Sequence, residues 1–207
     1  RGFLVVNAPH IPVHLGALGL CVRKISESHP WKDGDTIVVN HPAFGGSHLP
    51  DVTVISPVFV AEGLLGFVAN RAHHAEIGGR TPGSMPPDAT CLEEEGVVIP
   101  PTLFSAIGVD FFNKSRSPSD NIADLTAQVS ANAHGVEAIR AMAASSSFEA
   151  ITRHMRGLYE RAADKLYQRL VGFFECGASD QMDDGSVIEV AMSFGRRRRI
   201  DFTGSAR

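Results

Sequence analysis

The segment NHPAFGGSHLPDVTVISPVFVAEGLLGFVANRAHHAEIGGRTPGSMPP, residues 40–87, organises this chain. It holds four of the nine histidines, and two apolar runs separate HLPD from RAHHAEIGGR. The runs at residues 52–61 and 64–70 are typical of β-strands, and the break at Glu62-Gly63 indicates a hairpin between them. A hairpin returns the end of its second strand to the start of its first. We therefore expect HLPD and RAHH to meet.

The chemistry of these two loops indicates a metal site. An imidazole and a carboxylate three residues apart on a turn can share one ion, which makes His48 and Asp51 candidate ligands, with His73 as the third. Two histidines and one carboxylate leave positions open for water and substrate, an arrangement that suits divalent Zn, Mn or Fe. Ordinary hydrogen bonding by these histidines is the alternative.

Neighbouring side chains supply candidate catalytic groups. Successive strand residues point to opposite faces, so His73 can bind the metal while His74 acts as an acid or base, or orients the ligands. Arg71 and Arg80 could clamp a carboxylate or phosphate; a surface or core-bridging role is the alternative. His10 and His14, in the proline-punctuated NAPHIPVHLGALG, could line the same pocket.

Composition restricts the class of protein. The 207 residues are 43% hydrophobic and 20% charged with a net charge of −4, which supports a soluble globular protein and disfavours nucleic-acid binding. Three separated cysteines without a CxxC motif fit a reducing compartment. We find no apolar run long enough to span a membrane and no signal peptide, and we expect a cytoplasmic protein. No GxxxxGK[ST] or GxGxxG nucleotide motif occurs.

Patterns outside the central segment predict an α+β fold. We expect strands at residues 3–6, 36–40 and 97–99 and a helix at 15–28, with Pro57 marking an edge or a bulge. Together with the central hairpin these should form a mixed β-sheet with metal-site loops. This strand-rich metal-site region comprises residues 1–116.

The second half of the chain is predicted to be helical and then β. Ser117 and Pro118 are typical of a helix start, and that helix should run to about residue 144. Its apolar face should contain Ile122, Leu125, Val129, Val136 and Ile139. Ser146 to Glu149 match a capping box for a second helix, ending near residue 173.

The two helices should pack as a long antiparallel hairpin over residues 117–175. Two strands at 186–194 and 199–202, around the basic run Arg196 to Arg199, would begin a further β region at 176–207. That run is read as a solvated hairpin tip, with an anionic partner as the alternative. Because the chain begins inside an apolar run and ends just after a strand, we expect it to be a fragment of a larger protein.

The motifs GDTIVVNHPAFGGSHLPDVTVISPVF, GFVANRAHHAEIGGRTPGSMPPDAT and EEGVVIPP resemble the hydantoinase B/5-oxoprolinase family. This family includes the metal-bearing subunits of acetone and acetophenone carboxylases. The likeness extends to NAPHIPVHLGAL, DLTAQVSANAHG and DFTGS, and so covers nearly the whole chain. Family members are markedly longer, and residues 104–116 look short for the family.

The resemblance implies half of an ATP-driven enzyme. A hydantoinase A-type partner subunit or domain would carry an actin-like ATP site and phosphorylate a lactam, imide or enol-type oxygen. The B part would then complete ring opening, or carbon–carbon bond formation in the carboxylases, at a divalent metal. The carboxylase ligand pattern falls on His48, Asp51 and His73.

We therefore expect a cyclic amide hydrolase acting on hydantoin or 5-oxoproline, with His74 relaying a proton and Arg71 or Arg80 anchoring a substrate carboxylate. A ketone carboxylase subunit and a non-catalytic assembly module are the alternatives.

Overall fold

The computed structural model describes residues 2–9, 11–194 and 198–206. The fold combines helices with antiparallel β-sheets, which confirms the α+β prediction. The contacts divide the chain into two compact units, residues 1–155 and 156–207. The threefold division at residues 116 and 175 stays a prediction.

The sheet of the first unit contains four strands: β1 (Ile37–Val39), β2 (Asp51–Val60), β3 (Gly63–His73) and β4 (Thr102–Leu103). Their order is β3-β2-β1-β4, and every described pairing is antiparallel. The prediction of a mixed sheet was wrong, because the tight hairpin from β2 to β3 and the antiparallel pairings of β1 with β2 and β4 leave no parallel neighbours. The hairpin itself is confirmed, and the register between β2 and β3 shifts just after Pro57, at Val58/Phe59.

The two faces of this sheet are buried against different elements. Helix α1 (His14–Ser28) covers one face, and helix α3 (Pro118–Ala144) packs on β2 and β3. Alternate residues of a strand point to opposite faces, so Ile37 and Val39 join α1 while Val38 joins the other cluster. The second cluster is centred on buried residues Val38, Leu49, Val52, Val54, Ile77, Ile99, Phe112 and Leu125.

The buried face of α3 differs from the predicted apolar face. Leu125 and Val136 are buried as expected, but Ile122 and Val129 are only partly buried. The other buried positions on this helix carry amides: Asn121, Gln128 and Asn132. Hydrophobic periodicity could not identify this face, because its contacts are mainly hydrogen bonds to the sheet.

Two predicted strands are absent. Residues 3–6 form no ladder in the described part of the chain. Residues 97–99 lie beside β1, but the Asn40 side chain donates to Val97 O at 2.9 Å and accepts from Ile99 N at 2.6 Å. Asn40 N also donates to Ile99 O at 3.0 Å, so side-chain and backbone bonds together hold the segment, and no regular ladder forms before Pro100.

Short elements connect the sheet to the helices. They are a four-residue helix, α2 (Leu92–Glu95), and three 3-10 turns, which span Pro42–Phe44, Phe104–Ala106 and Val109–Phe112. Helix α3 begins at Pro118 as predicted, although Ser117 makes no side-chain cap bond.

Helix α4 (Phe148–Leu170) begins one residue later than a capping box at Ser146 requires. Ser147 takes the capping role, and its Oγ accepts from Ala150 N at 3.1 Å. Antiparallel packing of α3 and α4 stays a prediction. No described helix combines the length and the apolar character that a membrane crossing requires.

The second unit contains a three-stranded antiparallel sheet in the order β5-β6-β7. Its strands are β5 (Cys176–Gln181), β6 (Val187–Phe194) and β7 (Arg198–Asp201). β5 was not predicted because its sequence CGASDQ lacks apolar alternation. Arg198 and Arg199 lie in β7, whereas Arg196 and Arg197 fall outside the described residues.

Candidate metal centre

Local backbone structure explains why the HLPD spacing brings two ligand types together. Asp51 N donates to His48 O at 3.1 Å, so these two residues stand at the ends of one tight turn. Asp51 is also the first residue of β2, and it pairs with His73, the last residue of β3. The expectation that the hairpin brings HLPD and RAHH together is confirmed.

The three candidate ligands converge on the Asp51 carboxylate. His48 Nδ1 lies 3.4 Å from Asp51 Oδ2, and His73 Nδ1 lies 3.6 Å from Asp51 Oδ1. One ligand atom from each residue lies within 4.8 Å of the others. Asp51 is 4% exposed, whereas the His73 side chain is 46% exposed, so the cluster opens to solvent on the His73 side.

The donor set fits a divalent ion. His48 Nδ1 is buried and has no hydrogen-bond partner among the described residues. A buried polar nitrogen without a partner is costly, and coordination to a metal would satisfy it. Two imidazoles with one carboxylate also match the donors of catalytic Zn, Mn or Fe sites with open positions.

Two further side chains approach Asp51. Ser47 Oγ donates to Asp51 Oδ2 at 2.9 Å, and His14 Nε2 lies 3.8 Å from the same oxygen. His14 is the first residue of α1, and the start of this helix brings it to the site. His10 lies outside the described residues.

Arg71 lies next to His14, and its guanidinium contacts three other residues of the chain. Nε donates to Thr53 Oγ1 at 2.8 Å, Nη2 donates to Gly45 O at 2.9 Å, and Nη1 lies 3.4 Å from His14 Nδ1. Burial lowers the pKa of Arg71, while the nearby Cys21 and Asp51 oppose that shift. A guanidinium only donates, so His14 Nδ1 is the acceptor. The neutral His14 ring therefore carries its proton on Nε2, towards Asp51.

His74 is fully buried, and its side chain contacts two amide side chains of α3. Asn121 Nδ2 lies 3.3 Å from His74 Nδ1, and His74 Nε2 lies 3.0 Å from Gln128 Oε1. Because the amide nitrogen donates and the amide oxygen accepts, neutral His74 carries its proton on Nε2. Its backbone N–H donates to Pro50 O at 2.8 Å. These contacts favour the orienting role over the acid–base role.

Arg80 lies on the glycine- and proline-rich loop that follows β3. It forms an ion pair with Asp88, and its Nη1 lies 3.9 Å from Glu94 Oε1. No contact in the described parts of the chain joins Arg80 to His48, Asp51 or His73. An anchoring role for Arg80 stays a prediction.

The carboxylate of Glu76 organises the same loop. This carboxylate accepts from Gly78 N at 2.6 Å, from Gly83 N at 3.0 Å and from Arg116 Nη1 at 2.9 Å. Burial raises the pKa of Glu76, but the hydrogen bonds and Arg116 outweigh it and hold the pKa below its ordinary 4.5.

Ser47 and Gln128 are the site residues that sequence reasoning missed. Ser47 directly precedes a candidate ligand, and a hydroxyl there is within reach of a carboxylate on the same turn. Gln128 lies on a distant helix, and only the tertiary fold brings it to His74.

Comparisons with known proteins agree with the sequence motifs. The family model for Hydantoinase B/oxoprolinase matches residues 1–207. A 5-oxoprolinase from Saccharomyces cerevisiae is 38% identical over 218 residues, which cover 92% of this chain and 17% of the yeast protein. This chain thus spans about a sixth of the length of that relative.

Two solved structures share the fold. The ATP-dependent caprolactamase from Pseudomonas jessenii superposes with a TM-score of 0.78 at 23% identity, over 91% of this chain and 36% of that one. A nucleotide-free acetone carboxylase superposes with a TM-score of 0.79 at 20% identity, over 94% of this chain and 30% of that one.

Proposed function

The chain belongs to the hydantoinase B/oxoprolinase family, and from that membership we propose that it is the metal-binding part of an ATP-dependent enzyme that opens cyclic amides. The observation that carries the proposal is the convergence of His48, Asp51 and His73 around a buried carboxylate. The similarity to a yeast 5-oxoprolinase favours 5-oxoproline or hydantoin as the substrate class.

His48 and His73 would each supply one imidazole nitrogen to the metal, and Asp51 would supply a carboxylate oxygen. A divalent ion held there would polarise the amide carbonyl or lower the pKa of a bound water. The exposed side of His73 leaves the approach for substrate open, while the burial of Asp51 excludes water from the opposite side.

The surrounding residues hold the ligands in place. Ser47 donates to Asp51 Oδ2, which leaves Oδ1 to face His73. Arg71 fixes His14 against the same carboxylate and holds the Gly45 loop that leads to His48. The backbone N–H of His74 joins the ends of both ligand-bearing strands, and Arg71 or Arg80 is the candidate anchor for a substrate carboxylate.

In this proposal the ATP site lies on a partner subunit or domain. The sequence contains no GxxxxGK[ST] or GxGxxG motif, and both structural neighbours are described as ATP-dependent. We propose that a hydantoinase A-type subunit or domain activates the substrate with ATP before it reaches the metal.

Metal content and turnover test the proposal separately. We expect about one divalent ion per chain by elemental analysis, and loss of that ion in His48→Ala and Asp51→Asn. The exposed Glu93→Gln variant is the matched control and should keep the ion. Absence of stoichiometric metal from the wild-type protein would refute the site.

For the reaction, the protein is combined with its A-type partner and ATP, and ring opening of 5-oxoproline or hydantoin is measured. Activity should fall at least about a hundredfold in Asp51→Asn. ATP-dependent turnover of only a ketone with bicarbonate would instead assign a carboxylase. Unchanged turnover after substitution of His48, Asp51 and His73 would indicate a non-catalytic assembly module.

A further inference from the structure

The buried face of α3 carries amides where an apolar stripe is usual. Asn121, Gln128 and Asn132 are 2%, 6% and 2% exposed. A buried amide must be hydrogen-bonded to be tolerated, so a face built from three of them implies specific partners. Those partners lie on β2 and β3 and in the loop that follows β3, the elements that carry or flank the candidate ligands.

Gln128 makes the contacts that lie nearest to the ligands. Its Nε2 donates to Val52 O at 2.9 Å and to Asn70 Oδ1 at 2.8 Å, and its Oε1 accepts from His74 Nε2 at 3.0 Å. Both amide N–H groups and the amide oxygen are therefore used. Val52 directly follows Asp51, and His74 directly follows His73.

His74 extends this connection to the other side of the turn. Its backbone N–H donates to Pro50 O at 2.8 Å, and Pro50 directly precedes Asp51. The Gln128–His74 pair thus reaches the residues on both sides of Asp51 and the residue after His73. No other residue described on α3 bonds to both strand ends next to the ligands.

We infer that Gln128 is a positioning residue for the metal centre: its amide sets the separation of Asp51 and His73 through Val52 and His74. This inference rests on the proposed metal site. An apolar side chain of equal size would fill the space but would leave His74 Nε2–H without its acceptor and would remove the bond to Val52 O. The strand ends would keep their ladder pairing and the His74 N to Pro50 O bond, but they would lose the directional side-chain hydrogen bonds that hold them to α3.

The affinity of the site for a metal ion tests the positioning role of Gln128. We propose Co²⁺ titration of the purified protein, followed by absorbance and calorimetry, for wild type, Gln128→Met and Asn132→Leu. Asn132 is the matched control because it lies one turn further along the same face and donates to Val54 O and Val68 O, neither of which adjoins a ligand. Circular dichroism verifies that each variant is folded at the temperature of the titration.

Gln128→Met should weaken Co²⁺ affinity by about tenfold or more and alter the Co²⁺ absorption spectrum. The residues next to Asp51 and His73 would lose their support, and groups that orient metal ligands carry effects of about that size. Asn132→Leu should lower the melting temperature yet keep the wild-type spectrum and affinity within about threefold. If Gln128→Met does not fold, His74→Phe removes the same hydrogen bond from the other side and carries the same expectation.

The outcomes separate this inference from the metal site itself. A wild-type protein that does not bind Co²⁺ would refute the proposed site, and the inference with it. Wild-type binding that Gln128→Met leaves unchanged would refute the inference alone. Equal losses in Gln128→Met and Asn132→Leu would also refute it, because they would show general destabilisation of the helix–sheet interface.

Discussion

Cys21 shows how burial near the metal loop controls the chemistry of a single residue. Its thiol is 1% exposed, and burial raises its pKa to about 11 despite the opposing influence of Arg71. The reactive species is the thiolate, which is then only about one thousandth of the population at pH 8. Cys91 and Cys176 are exposed.

We therefore expect Ellman's reagent at pH 8 to modify two thiols per native chain and the third only after denaturation. Cys21→Ala should leave the fast native signal unchanged, whereas Cys91→Ala should halve it. Rapid modification of all three thiols in the native protein would contradict the buried environment of Cys21.

At the scale of elements, the loop that follows β3 depends on one carboxylate. Glu76 accepts from two backbone N–H groups and Arg116, which holds its pKa below 4.5. A carboxyl whose pKa is lower in the folded state stabilises the protein above its unfolded pKa, and this contribution is lost as the pH falls through the folded value.

Glu76→Gln should lower the free energy of unfolding at pH 7 by about 1–3 kcal/mol, because hydrogen bonds to a charged group are replaced by weaker ones. The difference from wild type should shrink as the pH falls below about 4.5. Urea unfolding from pH 7 to pH 3.5 measures it, with the exposed Glu93→Gln as control. A difference that is independent of pH would contradict the role of the ionised carboxylate.

The elements also show which parts of the fold the sequence could predict. Strands β2 and β3 and helix α1 follow hydrophobic patterns and were located to within a few residues. The turn in HLPD and the tight hairpin made the approach of Asp51 to His73 predictable as well. These features depend on contacts that are close in the sequence.

Features that depend on distant side-chain hydrogen bonds were not predictable. The Asn40 side chain bonds to residues 97–99 where a strand was predicted. The amide side chains of α3, among them Gln128, form hydrogen bonds with the sheet. Periodicity measures apolar spacing, so a buried amide looks like an exposed polar residue. For the same reason the sequence did not identify the partners of His74.

At the scale of the whole molecule, the core is confined to one unit. Every buried apolar side chain in the described ranges lies at or before Ile151, and both core clusters fall within residues 1–155. The candidate ligands and their supporting residues lie in this unit as well. The described strands of the second unit, β5 to β7, contain no buried residue.

A chain that ends at residue 155 should therefore fold and bind metal, because its core loses no buried apolar side chain when residues 156–207 are removed. We expect its Co²⁺ affinity to lie within about threefold of the 207-residue chain, since no ligand or bracing residue is lost. Circular dichroism and Co²⁺ titration of both chains measure this, and a second truncation that also removes α3 is the control that should unfold. An unfolded 1–155 chain would show that the second unit contributes to the stability of the first, which the distribution of buried residues does not predict.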